Sequence, residues 1–327
     1  MSGVRRSMSK TVLSFLTLCL FASGVLAAPQ ILLQGRPVAS LADAFSEAKP
    51  GDVIELGAGI YNQAAVLKTD FVTIRGVPGK THLQTAAIEG KGPLVIRASD
   101  IVIEHIECSG ISVPHKNGAC VRFEGKNLEL NHVYFHDSEQ GLLTGHEPGL
   151  VVIRNSRFER LGKNGQAHGI YVGGGELYIV DSFFLASKSE GMEIKSRAQK
   201  TVIERTTVAS LDGVDSRLLD IPNGGVLIVR DSILQQGDQT SNGDMIGYGL
   251  EGYKHEINSI EASGNIFLME RNGSNTLLHI KNDQVVPYVV GNLIVGRPTA
   301  ALREGNMVFS SREEAGLPAA PALPTLQ

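Results

Sequence analysis

The feature that most constrains this chain is a phrase that recurs at nearly constant spacing: a short apolar strand, a small polar residue, then one more large apolar residue. It occurs over 128–135, 151–158, 177–184, 201–208, 226–234, 260–267 and 289–294. The closing residues Phe135, Phe158, Phe184, Val208, Leu234, Phe267 and Ile294 follow one another at steps of 23, 26, 24, 26, 33 and 27. An internal period of that size predicts stacked coils.

What lies inside each repeat selects the kind of coil. Helical repeats need long stretches of 3.6-residue periodicity, and these hold only short alternating runs. Most repeats carry a second run, at 121–123, 142–144, 169–172, 192–195, 218–221 and 277–280. Leucine-rich spacing is absent, and propeller blades are longer than this period. The expected fold is all-β, a right-handed parallel β-helix. Its turn residues Ser156, Ser182, Thr206, Ser232, Asn265 and Asn292 should stack into a ladder that satisfies backbone groups. The closing apolar residues should stack as core.

Residues 1–27 read as an export signal: Arg5, Arg6 and Lys10, an apolar run from Thr11 to Val25, and a small-residue cleavage site at Val25-Leu26-Ala27. Removing three cations from a formal charge of −4 leaves −7. Nucleic acid is therefore not an expected partner, and an anionic polymer must meet a local basic patch. The mature chain, expected to be periplasmic or extracellular and monomeric with no membrane span, keeps Cys108 and Cys120. These form either a disulfide or two buried thiols. Residues 28–52 read as an N-terminal segment with a capping helix over Val38 to Ala48 and Ser40 as its N-cap. Residues 53–311 read as the β-helix domain, and 312–327 as a disordered tail.

The opening Leu41-Ala42-x-Ala44, Pro50-Gly51-Asp52-Val53-Ile54-x-Leu56 and Gly59-Ile60-Tyr61 resemble the start of exported members of the pectate-lyase-like β-helix superfamily. That superfamily holds lyases, hydrolases, epimerases and proteins without known activity, so the fold assigns no reaction. Glu193-Ile194-Lys195-Ser196 is similar to a Lys-Ser pair in alginate lyases of the chondroitinase B type, which implies a proton-abstracting role for Lys195. The arginine that those enzymes carry on the next strand is replaced here by Asp220, with Arg217 several residues early. Gly173-Gly174-Gly175-Glu176 matches their metal-binding phrase only loosely.

Alternation predicts that Arg122, Tyr171, Glu193, Lys195, Arg197 and Asp220 point outward. Aligning Gly169 with Gly191 gathers Tyr171, Glu193, Lys195 and Asp220 into one patch with His168 at its edge. Uronate β-elimination would use Lys195 as base, Tyr171 or His168 as proton donor, and Arg197 to neutralise the sugar carboxylate. Glu193 and Asp220 are candidate calcium ligands. Arg122, Asp220, Asn223 in the Pro222-Asn223-Gly224-Gly225 turn, and Tyr248 are candidate substrate contacts. The expected function is thus cleavage of an acidic polysaccharide by a lyase. The alternatives are a glycoside hydrolase using Glu193 and Asp220 and a non-catalytic glycan-binding envelope protein. His115, His136 and His146 lie on other loops, and their spacing forms no zinc signature.

Overall fold

The computed structural model describes residue 3 and residues 29–325. Apart from Gly3, the export signal expected over 1–27 lies outside the described residues. The chain winds into a parallel β-solenoid with three long sheets of 12, 11 and 9 strands. Each coil gives one strand to each sheet, so the nine strands of the third sheet count about nine complete turns. Both ends depart from this rule: Tyr288–Val290 and Leu293–Val295 have no third-sheet successor and Met307–Phe309 joins the second sheet alone, while the start adds an antiparallel pair. Ile31–Leu33 pairs antiparallel with both Arg36–Val38 and the first coil strand Val53–Leu56. The helix Leu41–Glu47 follows, with the Ser40 hydroxyl accepting from the Asp43 amide and Leu41, Ala44 and Phe45 buried in the common core.

The corner between the first and second sheets repeats along the solenoid and, from the Val133 amide onward, rests on the predicted polar ladder. One residue before the corner, Asn155, Asp181, Arg205 and Asp231 all take positive φ, between 45° and 51°. That sharp bend turns the next amide away from its own strand. The amide is met from the following coil: Ser156 N–H donates to Ser182 Oγ at 3.1 Å, Ser182 N–H to Thr206 Oγ1 at 3.3 Å and Thr206 N–H to Ser232 Oγ at 3.1 Å. Each hydroxyl in turn donates to a carbonyl two residues back in its own coil, as Ser182 does to Val180 at 2.8 Å. Asn265 and Asn292 continue the series with carboxamides, the Ser232 and Asn265 amides donating to them at 3.0 and 2.9 Å.

Inside the corner the apolar ladder is in register and wholly buried from Phe135 to Phe267. Phe158 and Phe184 stack with centroids 4.7 Å apart, and Phe135 meets Phe158 edge-on at 5.5 Å. Cys108 and Cys120 are bonded to each other, and both are buried. The segment from Arg312, expected to lack order, folds back on the second sheet. Arg312 pairs with Glu270 and donates to the carbonyls of Pro318 and Ala322, while Leu323 packs near Leu185 and Ala209. A buried guanidinium that saturates a neighbouring coil and its own tail anchors what composition alone reads as loose.

Replacing Ser182 by Ala strands the buried Ser156 amide, an omission that costs about 1–3 kcal/mol. The expected result is a clearly lower denaturation midpoint for Ser182→Ala, with Ser182→Thr close to wild type. Equal losses in the two variants would assign the effect to packing instead of the hydrogen bond.

Candidate functional site

The outward row of the third sheet gathers most of the candidate residues. Its register runs Arg122, Leu143, Tyr171, Lys195, Asp220, Gly247, His279 on successive coils. Rungs of a parallel sheet lie about 4.8 Å apart, so Tyr171, Lys195 and Asp220 stand side by side. The expected alignment of Gly169 with Gly191 is displaced by two residues: Ile170 pairs with Ile194, which puts Gly169 beside Glu193. A shift of two preserves the face and changes the partner.

Lys195 Nζ lies 3.2 Å from Asp220 Oδ2 and 3.8 Å from Glu251 Oε1, and over the Tyr171 ring at 5.7 Å. Arg197 also lies 5.7 Å from that ring's centroid, donates from Nε to the Tyr171 hydroxyl at 2.7 Å and from Nη1 to Asn223 Oδ1 at 2.8 Å. Its fork also grips Glu251, with Nη1 2.8 Å from Oε2 and Nη2 3.1 Å from Oε1. That guanidinium holds the Glu251 carboxyl below its usual range. Asn223 therefore orients Arg197 through its side chain.

Arg217 completes the row. Its Nη1 lies 3.5 Å from Asp220 Oδ1 and its Nη2 donates to Asp244 at 3.2 Å. The side chain runs across Gly247, where a Cβ would sit 2.8 Å from Nε and 2.9 Å from Cδ. An arginine thus reaches the row from upstream, over a position that has no side chain. A glycine interrupting the outward row was the available signal, since glycine within a strand marks a close approach.

Four expectations need correction. Glu193 precedes the strand Ile194–Ser196 and is 1% exposed; its carboxylate accepts from the Ser187 amide at 2.6 Å and the Ser187 hydroxyl at 2.8 Å. Burial, then the Asp215 charge, raises its carboxyl well above the ordinary range. Glu193 and Asp220 are committed to different partners, Ser187 for one and the Lys195 and Arg217 cations for the other, and do not fit a shared calcium ion. His168 is buried, with Nδ1 accepting from the Met192 amide at 3.2 Å and its ring edge-on to Tyr171. Burial, then the Lys195 and Arg197 charges, push its pKa down to about 3, so at neutral pH it is uncharged. Tyr248 points inward and is fully buried, its hydroxyl donating to the Gly225 carbonyl. Arg122 does lie on the outward row, but two coils from Tyr171 with Leu143 between, and it pairs with Glu124 at 3.2 Å.

No family model matches the chain, and no curated protein matches it. Among solved structures it is similar to Geobacillus virus E2 ORF18, at 13% identity and TM-score 0.51 over 80% of this chain and 52% of that one. A PL6 family alginate lyase, AlyGC, aligns at 12% identity and TM-score 0.36 over 87% and 56%. The chain thus spans about half the length of each. The first likeness concerns the fold alone. Among the described residues no helix is long and apolar enough to cross a membrane.

Buried beneath the patch, Asp215 accepts from the Ser210 and Thr240 hydroxyls, each at 2.7 Å, and burial raises its pKa from 3.8 to about 6. A raised carboxyl contributes stability that is fully present below 3.8 and lost as pH rises through about 6. Asp215→Asn cancels this contribution. The thermal midpoint of the variant relative to wild type should climb between about pH 4 and about pH 8; a difference independent of pH would contradict the assignment.

Proposed function

We propose that this chain is an exported, right-handed parallel β-helix that acts on acidic polysaccharide and cleaves uronate-containing glycans by β-elimination. The observation that carries the reading is the Glu251 carboxylate seated in the Arg197 fork beside Lys195. Glu251 is half exposed, on a turn held by Gly249 and Gly252 at positive φ. Its carboxylate stands where that of a bound uronate would meet the same two cations, and a planar fork is suited to such a group.

Displacement of Glu251 by substrate leaves Arg197 to neutralise the sugar carboxylate, which stabilises the charge that develops when the C5 proton departs. Neutral Lys195 takes that proton. The C5–H electron pair becomes the C4–C5 double bond, the C4–O bond breaks, and the leaving oxygen takes a proton from Tyr171. The Tyr171 oxygen accepts from Arg197 Nε, so its own O–H is directed away from the guanidinium. Lys195 must first lose a proton. Asp220, 3.2 Å away, fixes the position of Nζ. His168, buried and neutral, supports the ring of Tyr171. The hydrolase alternative lacks support, because Glu193 is occupied by Ser187. Export is supported by the leader-like first 27 residues and by the Cys108–Cys120 bond, which suits an oxidising compartment.

Alginate, pectate and glycosaminoglycans, followed by the ultraviolet absorbance of the unsaturated product, test the reading. Lys195→Ala and Tyr171→Phe should each lower turnover by roughly a hundredfold or more. Full product formation by Lys195→Ala rejects the assigned base, and binding without product in the wild type reassigns the chain as a non-catalytic glycan binder. Separately, Glu251→Gln should lower KM by a few-fold, as loss of an internal competitor requires. A raised KM would make Glu251 a substrate contact.

A further inference from the structure

On the second sheet, away from the Lys195 row, three successive coils bring together His82, Glu107 and His136. They sit on the strands Thr81–Gln84, Glu107–Ser109 and Tyr134–His136. Glu107 is directly beside His82, and His136 is one rung further and two residues along, opposite Ser109. Period-two alternation therefore turns all three outward, while Leu83, Cys108 and Phe135 between them are buried. Their donor atoms lie within 4.8 Å of one another. His136 Nε2 is 3.1 Å and His82 Nδ1 is 3.5 Å from the same oxygen, Glu107 Oε1.

The outer partners decide which ring nitrogens are free. His136 Nδ1 meets Asp137 Oδ2 at 2.7 Å, and that carboxylate is clamped by the Arg160 fork at 2.9 and 2.7 Å. An ionised carboxylate only accepts, so Nδ1 carries the hydrogen, and in the neutral ring Nε2 presents a lone pair to Glu107. His82 Nε2 lies 2.8 Å from Ser109 Oγ, a hydroxyl that accepts or donates, and when Nε2 carries the hydrogen Nδ1 turns a lone pair to Glu107. Two imidazole lone pairs and a carboxylate then converge with no donor between them, an arrangement that a cation relieves. For a tetrahedral zinc-class ion with ligands at about 2.0–2.2 Å, neighbouring ligand atoms stand about 3.3 Å apart. The two contacts to Glu107 bracket that value. Tyr134 stacked on His136 at 4.2 Å and the Cys108 disulfide in the middle strand restrict movement of the set.

We propose that His82, Glu107 and His136 bind one divalent transition-metal ion of the zinc class, with Asp137 and Ser109 orienting the two rings. The ion takes two nitrogens and a carboxylate oxygen, retains an open position towards solvent, and ties three coils together. The test uses the tag-free mature chain, stripped with a chelator, and titrated with Co2+ under visible absorption and with Zn2+ in competition. The expected result is one equivalent of Co2+ bound with the absorption of a tetrahedral site, displacement by Zn2+, and a thermal midpoint several degrees higher with Zn2+. His82→Gln, His136→Gln and Glu107→Gln should each weaken binding more than tenfold, and Asp137→Asn by about tenfold. Absence of saturable Co2+ binding in the wild type, whatever the variants do, overturns the proposal. So does binding that survives unchanged in folded His82→Gln and His136→Gln.

Discussion

The structure depends on a hydrogen bond that recurs from coil to coil, from Val133 to Asn306, at the corner between its first and second sheets. A left-handed residue is needed there to redirect the chain, and it leaves the next amide without a partner in its own strand. Ser156, Ser182, Thr206 and Ser232 answer it from the coil above and return their own proton to the coil they belong to. Each side chain thus closes its own turn and fixes the height and register of its neighbour. The aromatic stack beneath is a consequence: once the corners coincide, Phe135, Phe158 and Phe184 have no room except above one another.

Fixed register is what allows the outer faces to carry chemistry. A solenoid places residues from distant coils in straight rows, and on the third sheet the row joins Tyr171, Lys195 and Asp220 although they are spread over fifty positions of sequence. Charge there is locally balanced. Asp220 is shared by Lys195 and Arg217, and Glu251 by Lys195 and Arg197, so under the proposed function the patch would bind a further carboxylate by exchange for Glu251 instead of by attraction to a net positive surface. This reconciles a mature chain expected to be acidic with an anionic ligand. On the second sheet the same geometry produces the opposite imbalance, three electron-pair donors facing one another.

Much of the site could not be read from the chain. Alternation identified the facing of Tyr171, Lys195 and Asp220, because that property depends only on the period of a strand. It failed at Glu193, and Tyr248, taken as a substrate contact without it, points inward. Glu193 lies at a corner, where period two ends and a local amide captured the carboxylate; Tyr248 closes its strand and turns its hydroxyl to an internal carbonyl. Arg217 was set aside because it lies three residues before Asp220, yet a long side chain spans that distance across Gly247. His136 was sorted with loop histidines by sequence spacing. Its partner His82 is 54 positions away and comes near only because two coils separate them.

The amino-acid sequence by itself determined the solenoid, since a repeated strand-and-corner phrase can bury its apolar face only against another copy of itself. It also determined which residues form the ladder and which side of each strand meets water. Pairing across coils was decided by tertiary structure alone. The repeats differ in length by up to ten residues, and a displacement of two positions keeps every side chain on its face while giving it a new neighbour. Whether the cysteines join, which acid meets Lys195, and whether two histidines share a carboxylate all depend on that register, and hence on how each corner loop takes up its extra length.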